Sequence, residues 1–518
     1  MADKKGASSR PFARVLVANR GEIALRIGRT AREMGMEWVA VYSEPDRSAL
    51  HTRFADVAYA LGGRTPRESY LDVAKIVRAA KETGAEAIHP GYGFLAENAN
   101  FARAVEEAGL VWIGPPPSAI VDMGDKITSR KLMAEAGVPI VPGLAEPLAD
   151  AAAAKKAAEA VGYPIALKAS AGGGGKGIRV VRDPADLEGA FRTASGEALA
   201  AFGDGRMYLE RYLDQPRHVE VQVLFDAHGN GVHYGERECS IQRRHQKLVE
   251  ECPSPVVDAK TRAAMGEAAL KAARAVGYVG AGTVEFLWSK GEFFFLEMNT
   301  RLQVEHPITE MVTGRDLVRE QIRVAAGEPL GYGQDAVVMN GHAIEVRINA
   351  EDPMNRFLPS TGVVQNLRMP GGPWVRLDSC LYNGLEVGLE YDPMLAKLIV
   401  WGSDRPQAIA RMKRALQELN VGGVSTGAPA ALRVLGEEAF VRGEYDTHFL
   451  ESLDLTQDFL GMSDVAAIAA AIHRYKQSHR TALQPTAGRR DGWLERGRRS
   501  LTTFPLPQSS NDEGGANR

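Results

Sequence analysis

The stretch Glu297-Met298-Asn299-Thr300-Arg301-Leu302-Gln303-Val304-Glu305-His306 carries its functional side chains at every second position. Alternate side chains of an extended chain share a face. Glu297, Asn299, Arg301, Gln303 and Glu305 would then present two carboxylates, two amides and a guanidinium together. A merely solvated face would mix in Lys, Ser or Thr, and these five positions hold none. Twelve residues before Glu297 stands Glu285, and Lys290-Gly291 between the two runs predicts a hairpin. Directly opposed, the two glutamates would have Cβ atoms about 5 Å apart. That pairing calls for an odd loop, most simply Lys290-Gly291-Glu292, because a two- or four-residue loop turns them to opposite faces. Opposed carboxylates beside Asn299 form an oxygen ligand set suited to Mg²⁺. Without a cation they are a destabilising like-charge pair.

A second signal is Lys168-Ala169-Ser170-Ala171-Gly172-Gly173-Gly174-Gly175-Lys176-Gly177. Consecutive glycines let backbone N–H groups approach phosphate without side-chain obstruction. The run satisfies G-x-G-x-x-G only formally: Ile178-Arg179-Val180-Val181 continues as a strand, not a helix, and no G-K-[ST] is present. A strand–loop–strand folded over phosphates remains, with a flexible surface hairpin as the plain alternative. The third signal, Arg243-Arg244-His245-Gln246-Lys247, is an anion pocket if it lies beside a metal–phosphate site and a solvated basic loop otherwise.

The elements that must position these residues follow from periodicity. Residues 14–20, 22–34, 38–43, 70–83 and 87–89 alternate strand and helix, which predicts a doubly wound parallel sheet with ligands at the strands' carboxyl ends. The loop Ala18-Asn19-Arg20-Gly21-Glu22 lacks the dinucleotide fingerprint. Pro115-Pro116-Pro117 marks a boundary. Helices are expected over 126–136 and 151–161, antiparallel strands over 219–225 and 283–298, then strands near 343–348, 363–368 and 396–401 and a helix over 405–419. The fold class is thus α/β and α+β, multidomain. The expected divisions are a disordered N-terminus (1–12), a Rossmann-like unit (13–122), a central unit (123–340), a C-terminal α+β unit (341–455), and an extra helix with a polar tail predicted to be disordered (456–518). With a net charge of −3, the chain lacks the basic excess of a nucleic-acid protein. Cys239, Cys252 and Cys380 are too few and too scattered for a disulfide scaffold or zinc site, which fits a cytoplasmic compartment. No signal peptide or membrane span is expected.

Taken together, the chain resembles the biotin carboxylase family of the ATP-grasp superfamily over roughly residues 13–450. The stretches His89-Pro90-Gly91-Tyr92-Gly93-Phe94-Leu95-Ala96-Glu97-Asn98, Arg243 to Lys247, and Glu297 through Pro307 carry the likeness, with Val15 to Glu22 and Asp392 to Leu398 at the two ends. The resemblance implies a central ATP-grasp domain whose glycine-rich lid spans about 140–212. It implies that Lys126 and Lys168 contact ATP phosphates and that Gly174 and Gly175 belong to the lid. Glu210, Arg211, Tyr212 and Leu213 would hold adenine at the hinge, with His218, Gln242, His245 and Leu287 also at the nucleotide. Glu285, Glu297 and Asn299 would carry two Mg²⁺ or Mn²⁺ ions. Lys247, Arg301, Gln303 and the Val304 backbone would hold bicarbonate, Glu305 would be the general base, and Arg347 would steady the biotin enolate near Tyr92 and Glu97.

Two departures are local: Ala171 stands where many members have glycine, and Arg211 where lysine is common. Met412-Lys413-Arg414 does not match the Met-Lys-Met of a biotin-carrier domain. The expected partners are therefore a separate biotin carboxyl carrier protein, a second copy of this chain and the carboxyltransferase subunit of an enzyme such as acetyl- or propionyl-CoA carboxylase. The alternatives are an ATP-grasp ligase coupling an acyl-phosphate to an amine, and a nucleotide-sensing subunit with a dead site. The Arg301/Gln303/Glu305 set and Arg347 argue against the first. The presence of Lys168, Glu297 and Arg301 argues against the second.

Overall fold

The structure is a computed structural model that describes residues 11–143, 147–169, 178–244, 246–454 and 468–475. Gly174, Gly175 and His245, the segment 1–10 and most of 456–518 lie outside the described residues; 468–475 is helical.

The N-terminal sheet is parallel, in the order Val57–Ala60, Glu37–Tyr42, Arg14–Val17, Ala87–His89, Val111–Trp112. Its central strand is apolar on both faces because helices cover both. Val15 and Val17 pack with Ile23 and Ile27 of the helix Gly21–Glu33. Leu16 turns the other way, into a core with Ile76 and Ala80 of the helix Val73–Thr83. The chain reversal after Arg14–Val17 brings Asn19, Arg20 and Glu22 to the sheet's carboxyl edge, beside the 90–94 segment that follows the strand Ala87–His89; Asn19 Nδ2 donates to the Pro90 and Tyr92 carbonyls at 2.7 and 2.8 Å.

A small antiparallel sheet follows, in the order Ile178–Val181, Ile165–Ala169, Met207–Arg211. Alanines of the helices Ala151–Val161 and Leu187–Phe202 pack against it, Ala154, Ala158, Ala194 and Ala198 among them.

The largest element is an antiparallel sheet of eight strands: Glu292–Asn299, Gly280–Ser289, Arg217–Phe225, Gly231–Arg243, Gln246–Cys252, His342–Asn349, Met394–Gly402, Val375–Ser379. It runs across the expected division near 341. The strands expected at 343–348 and 396–401 do not found a separate sheet but extend the central one, His342–Asn349 pairing directly with Gln246–Cys252. The expected 363–368 strand is instead two short pieces, Gly362–Val363 and Gln365–Arg368, in different two-stranded ribbons. The helix Arg405–Glu418, capped by Asp404 accepting from the Gln407 amide, covers the C-terminal part of the large sheet through Ala408, Met412 and Ala415. Among the described residues no helix is long and apolar enough to cross a membrane.

The hairpin carrying Glu285 and Glu297 is closed differently from expectation. Ser289 pairs with Glu292, so the loop is the two-residue Lys290-Gly291. Both loop residues have positive φ, 51° and 89°, as a primed turn requires. A loop of that length alone would put the two glutamates on opposite faces. The register shifts by one between the Phe286–Phe295 and Glu285–Glu297 pairs, leaving Leu296 as a bulge. The opposition of Glu285 and Glu297 is therefore present, and the bulge creates it rather than the turn.

Candidate active site

The large sheet lays a charged row across four strands. Register pairs Glu297 with Glu285, Glu285 with Glu220, and Glu220 with Arg237. Three adjacent carboxylates would repel in a low-dielectric setting, so their neighbours decide whether the row can exist. Fully buried Arg237 donates to Glu220 at 2.6 Å, to Gln222 and Thr309 at 2.8 and 3.0 Å, and to Thr283 and Gln303 at 3.1 and 2.7 Å. Those five bonds use every N–H of the guanidinium. Lys247 Nζ lies 2.6 Å from Glu220, 2.5 Å from Glu305 and 3.3 Å from Glu285. His218 Nε2 lies 3.0 Å from Glu285. Burial opposes a charged imidazole, but the Glu285 carboxylate outweighs it and raises His218 to about 9. Burial would likewise raise Glu285, yet Lys247 and His218 hold it well below the usual carboxylate range.

Glu297 is treated differently. Its carboxylate faces the cleft with 42% of the side chain exposed, and its nearest cation among the described residues, Lys126 Nζ, is 3.9 Å away. Burial and the like charge of Glu285 push its pKa up. An under-neutralised carboxylate opposite a second one, with the Asn299 amide alongside, is a donor set that fits a hard divalent cation.

The chain leaves the strand at Asn299, so residues 297–305 are not one extended face as expected. Residues 300–305 bend into the helix His306–Thr313, and the five functional side chains still converge on one cavity. Arg301 Nη2 donates to Asn299 Oδ1 at 2.9 Å and its Nε to Glu97 at 3.0 Å. Gln303 Nε2 donates to Glu285 at 2.8 Å. Glu305 accepts from Lys247 on one oxygen and from Arg347 Nη2, at 3.0 Å, on the other. Burial opposes its charge, and Lys247 and Arg347 overcome this and hold its pKa below the ordinary value. Arg347 is itself anchored by Glu250, Nε to Oε1 at 2.6 Å.

This cavity encloses about 570 Å³, within the usual size of small-molecule sites. Lys126, Lys168, Glu210, His218, Gln242 and Leu287 line it together with Glu285 and Glu297 of the row and with Lys247, Val304 and Arg347. An adjoining cavity of about 600 Å³ shares Lys247, Arg301, Val304 and Arg347 with it and adds Tyr92, Arg20 and Tyr391. Three of the expected adenine-contacting residues stand off the first cavity. Arg211 reaches Glu292 at 3.4 Å, Tyr212 lies under Arg182, and Leu213 packs on Val141 and Phe294. Glu97 lines neither cavity; it positions Arg301 and accepts from the Thr300 amide at 3.1 Å. The buried Glu210 carboxylate is held between Arg130, at 2.9 Å, and Lys168.

Sequence reasoning did not single out Glu220, Arg237, Glu250 or Arg130. A signal existed for the first: in Val219-Glu220-Val221-Gln222-Val223 the valines face one way and Glu220 and Gln222 the other. Arg237 is marked only by its bonds to Thr283, Gln303 and Thr309, and Glu250 only by its bond to Arg347, all distant in sequence.

Three family models match. Biotin carboxylase, N-terminal domain, covers residues 11–120; carbamoyl-phosphate synthase L chain, ATP binding domain, covers 125–332; and biotin carboxylase C-terminal domain covers 345–452. A pyruvate carboxylase subunit from Methanothermobacter thermautotrophicus is 51% identical over 489 residues, 90% of this chain and 100% of that protein. The propionyl-CoA carboxylase alpha chain of Ruegeria pomeroyi is 47% identical over 508 residues, 93% of this chain and 74% of that one. The biotin carboxylase domain dimer of Hydrogenobacter thermophilus 2-oxoglutarate carboxylase, solved with MgADP, ADP and bicarbonate, superposes with a TM-score of 0.80 at 48% identity, covering 85% of this chain and 97% of that one. Matched from end to end of its described core and built around the cleft those domains share, the chain belongs to the biotin carboxylase family.

Proposed function

We propose that this chain uses ATP and bicarbonate to carboxylate biotin presented by a carrier protein, as the first half-reaction of an acyl-CoA carboxylase. The observation that carries the reading is Glu305, an ionised carboxylate held between Lys247 and Arg347 where the two cavities meet. A base at that junction can serve bicarbonate on one side while Arg347 serves biotin on the other.

Lys126, Lys168, His218, Gln242, Leu287 and Glu210 are assigned to ATP, with the backbone rather than the side chains of Arg211, Tyr212 and Leu213 serving adenine. Arg301 and Lys247, with Gln303 and the Val304 backbone, orient bicarbonate, the guanidinium offering a planar fork. Glu305 takes the bicarbonate proton, the freed oxygen attacks the γ-phosphorus, and ADP leaves, giving carboxyphosphate. Glu285, Glu297 and Asn299 would hold Mg²⁺ or Mn²⁺, which when bound neutralises charge building on the transferred phosphoryl group. Carboxyphosphate then splits into CO₂ and phosphate. The phosphate accepts the N1 proton of biotin, Arg347 stabilises the enolate oxygen, and N1 attacks CO₂. Tyr92 lines the biotin side, and Glu97 acts through Arg301.

ADP release by the purified chain with Mg-ATP and bicarbonate, with and without free biotin, tests this. Biotin stimulation that requires bicarbonate and vanishes in Arg347→Ala is expected. ADP release indifferent to biotin would overturn the biotin assignment. The relatives' names span pyruvate, propionyl-CoA and 2-oxoglutarate, so the partner carboxyltransferase is the element assigned to choose the acceptor. Transfer of labelled bicarbonate to acetyl- or propionyl-CoA, but not to pyruvate, in the reconstituted complex is the expected result. A homodimer in sedimentation completes the proposal.

A further inference from the structure

One buried cation takes no part in that chemistry yet lies against the catalytic turn. Lys397 belongs to the strand Met394–Gly402, with Arg347 and Asp378 opposite it on the two flanking strands. Its side chain is fully buried. A compact, strongly hydrated ammonium is costly to bury, and a methionine would fill the same space without that cost. Three contacts show what the charge is aimed at. Lys397 Nζ donates to the Val304 carbonyl at 2.8 Å, lies 3.3 Å from Glu22 Oε1, and stands 5.7 Å from the centroid of the Tyr92 ring. Glu22 also accepts from the Tyr92 hydroxyl.

The geometry ties together parts of the chain that are far apart in sequence. The Val304 carbonyl belongs to the peptide that leads into Glu305. Rotating that peptide would re-aim a carboxylate that must meet Lys247 with one oxygen and Arg347 with the other. Tyr92 and Val304 both line the second cavity, so Lys397 touches the wall of that cavity and the peptide that carries the base at once. Glu22 stands in the first turn of the helix Gly21–Glu33, where a carboxylate is favoured by the helix dipole. Its Oε1 is shared between Lys397 and the Tyr92 hydroxyl, so the carboxylate links the ammonium to the ring.

We propose that Lys397 is a positioning residue: it grips the Val304 carbonyl to fix the Val304–Glu305 peptide, and through Glu22 and Tyr92 it couples that turn to the biotin side of the site. The role rests on the carboxylase reading above and deepens it. Removing Lys397 alone would also strand the Glu22 charge, a structural injury distinct from the loss of positioning. The test therefore compares the full-length chain with Lys397→Met and with Lys397→Met/Glu22→Gln, in which that stranded charge is gone.

Lys397→Met should lower both the melting temperature and the bicarbonate kcat/KM. The double variant should recover the melting temperature while its bicarbonate kcat/KM stays down by about 100-fold, the scale of a small misplacement of a catalytic group, with KM for ATP within about twofold. Lys397→Arg, which keeps a cation that can reach Val304, should regain part of the loss. Amide hydrogen exchange across 300–306 should be about tenfold faster in the double variant. A double variant with wild-type bicarbonate kinetics would overturn the proposal, as would unchanged exchange at 300–306. If the parent chain shows no bicarbonate-dependent ADP release, the carboxylase reading fails, and the exchange measurement still decides whether Lys397 holds the turn.

Discussion

Glu250 and Glu251 are neighbours on the strand Gln246–Cys252, both buried, and they face opposite sides of the same sheet. Glu250 lies behind the cleft wall and holds Arg347 through one oxygen; its other oxygen has no partner among the described residues. Glu251 looks away from it and is saturated: Arg405 donates to both of its oxygens at 2.6 and 3.0 Å, His342 Nε2 lies at 2.7 Å, and the Tyr445 hydroxyl donates as well. Burial raises Glu250 to about 7 against the pull of Arg347. The same burial is overcome at Glu251 by bonds from His342 and Arg405, which hold it at about 2. On one side Glu250 keeps an oxygen unsatisfied behind Arg347; on the other Glu251 is locked for stability.

The largest effect that could break this contrast lies on the cleft side. Glu305→Gln keeps the shape of the side chain and removes the base, so biotin-dependent ADP release should fall about 10²- to 10⁴-fold. The melting temperature should stay within a few degrees of the parent, because Lys247 keeps Glu220. A variant that unfolds instead would place Glu305 with the locking residues.

On the far face the injury reverses. Glu251→Ala leaves Arg405 and His342 facing an emptied buried site and should cost about 3–5 kcal/mol in denaturant unfolding. Turnover of the folded fraction should change little. In the parent, a folded pKa below the ordinary 4.5 means that the contribution of Glu251 is complete above pH 4.5 and lost as pH falls towards 2, about 3 kcal/mol in all. Urea midpoints measured between pH 6 and 3 for the parent and for Glu251→Gln read this directly: the variant should show the shallower acid loss.

Glu250→Gln is the milder counterpart. Arg347 would keep Glu305 and lose a charged anchor for a neutral one, so the biotin-dependent kcat/KM should fall by about tenfold, the scale of one charge-assisted hydrogen bond. The pH dependence has the opposite sign to that of Glu251. A pKa raised from 4.5 to about 7 gives a contribution present below pH 4.5 and lost as pH rises through 7. Glu250→Gln should therefore gain stability on the parent between pH 5 and 8, and a variant that loses ground over that range would contradict the assignment.

The sequence made the residue types of the cleft legible, but it did not reveal how the two sheet faces divide them. Glu285, Glu297, Asn299, Arg301, Gln303 and Glu305 announce themselves by alternation, and the family likeness supplied Lys247 and Arg347. The parallel N-terminal sheet followed from the alternation of strand and helix over residues 14–89. Glu250 and Glu251 could not be told apart, since each one's role depends on strands about a hundred residues away: Arg347 for one, His342 for the other. The pairing of Glu285 with Glu297 was read correctly from an incorrect loop, because a bulge at Leu296 changes register by one just as an odd loop would, and no residue at 296 signals it. That one sheet runs through the division drawn near 341 was hidden for a related reason. Hydrogen bonding between Gln246–Cys252 and His342–Asn349 carries one sheet through a point where composition suggested a new unit.

The smallest effect sharpens the contrast most finely. His342 contributes one of several bonds to Glu251, and it sits on the same strand as Arg347, five residues before it. Were the two faces coupled through the strand, His342→Gln would disturb Arg347 and with it turnover. Were they independent, the variant would lose only a single hydrogen bond, with Arg405 and Tyr445 still holding Glu251. The expected outcome is the second: a loss of about 0.5–1.5 kcal/mol in unfolding free energy and biotin-dependent kcat/KM within about twofold of the parent. Pairing His342→Gln with Glu250→Gln makes the test quantitative. Their effects should add within about 0.5 kcal/mol if the sheet insulates its two faces, and a larger discrepancy would show that the locking side helps to aim the catalytic side.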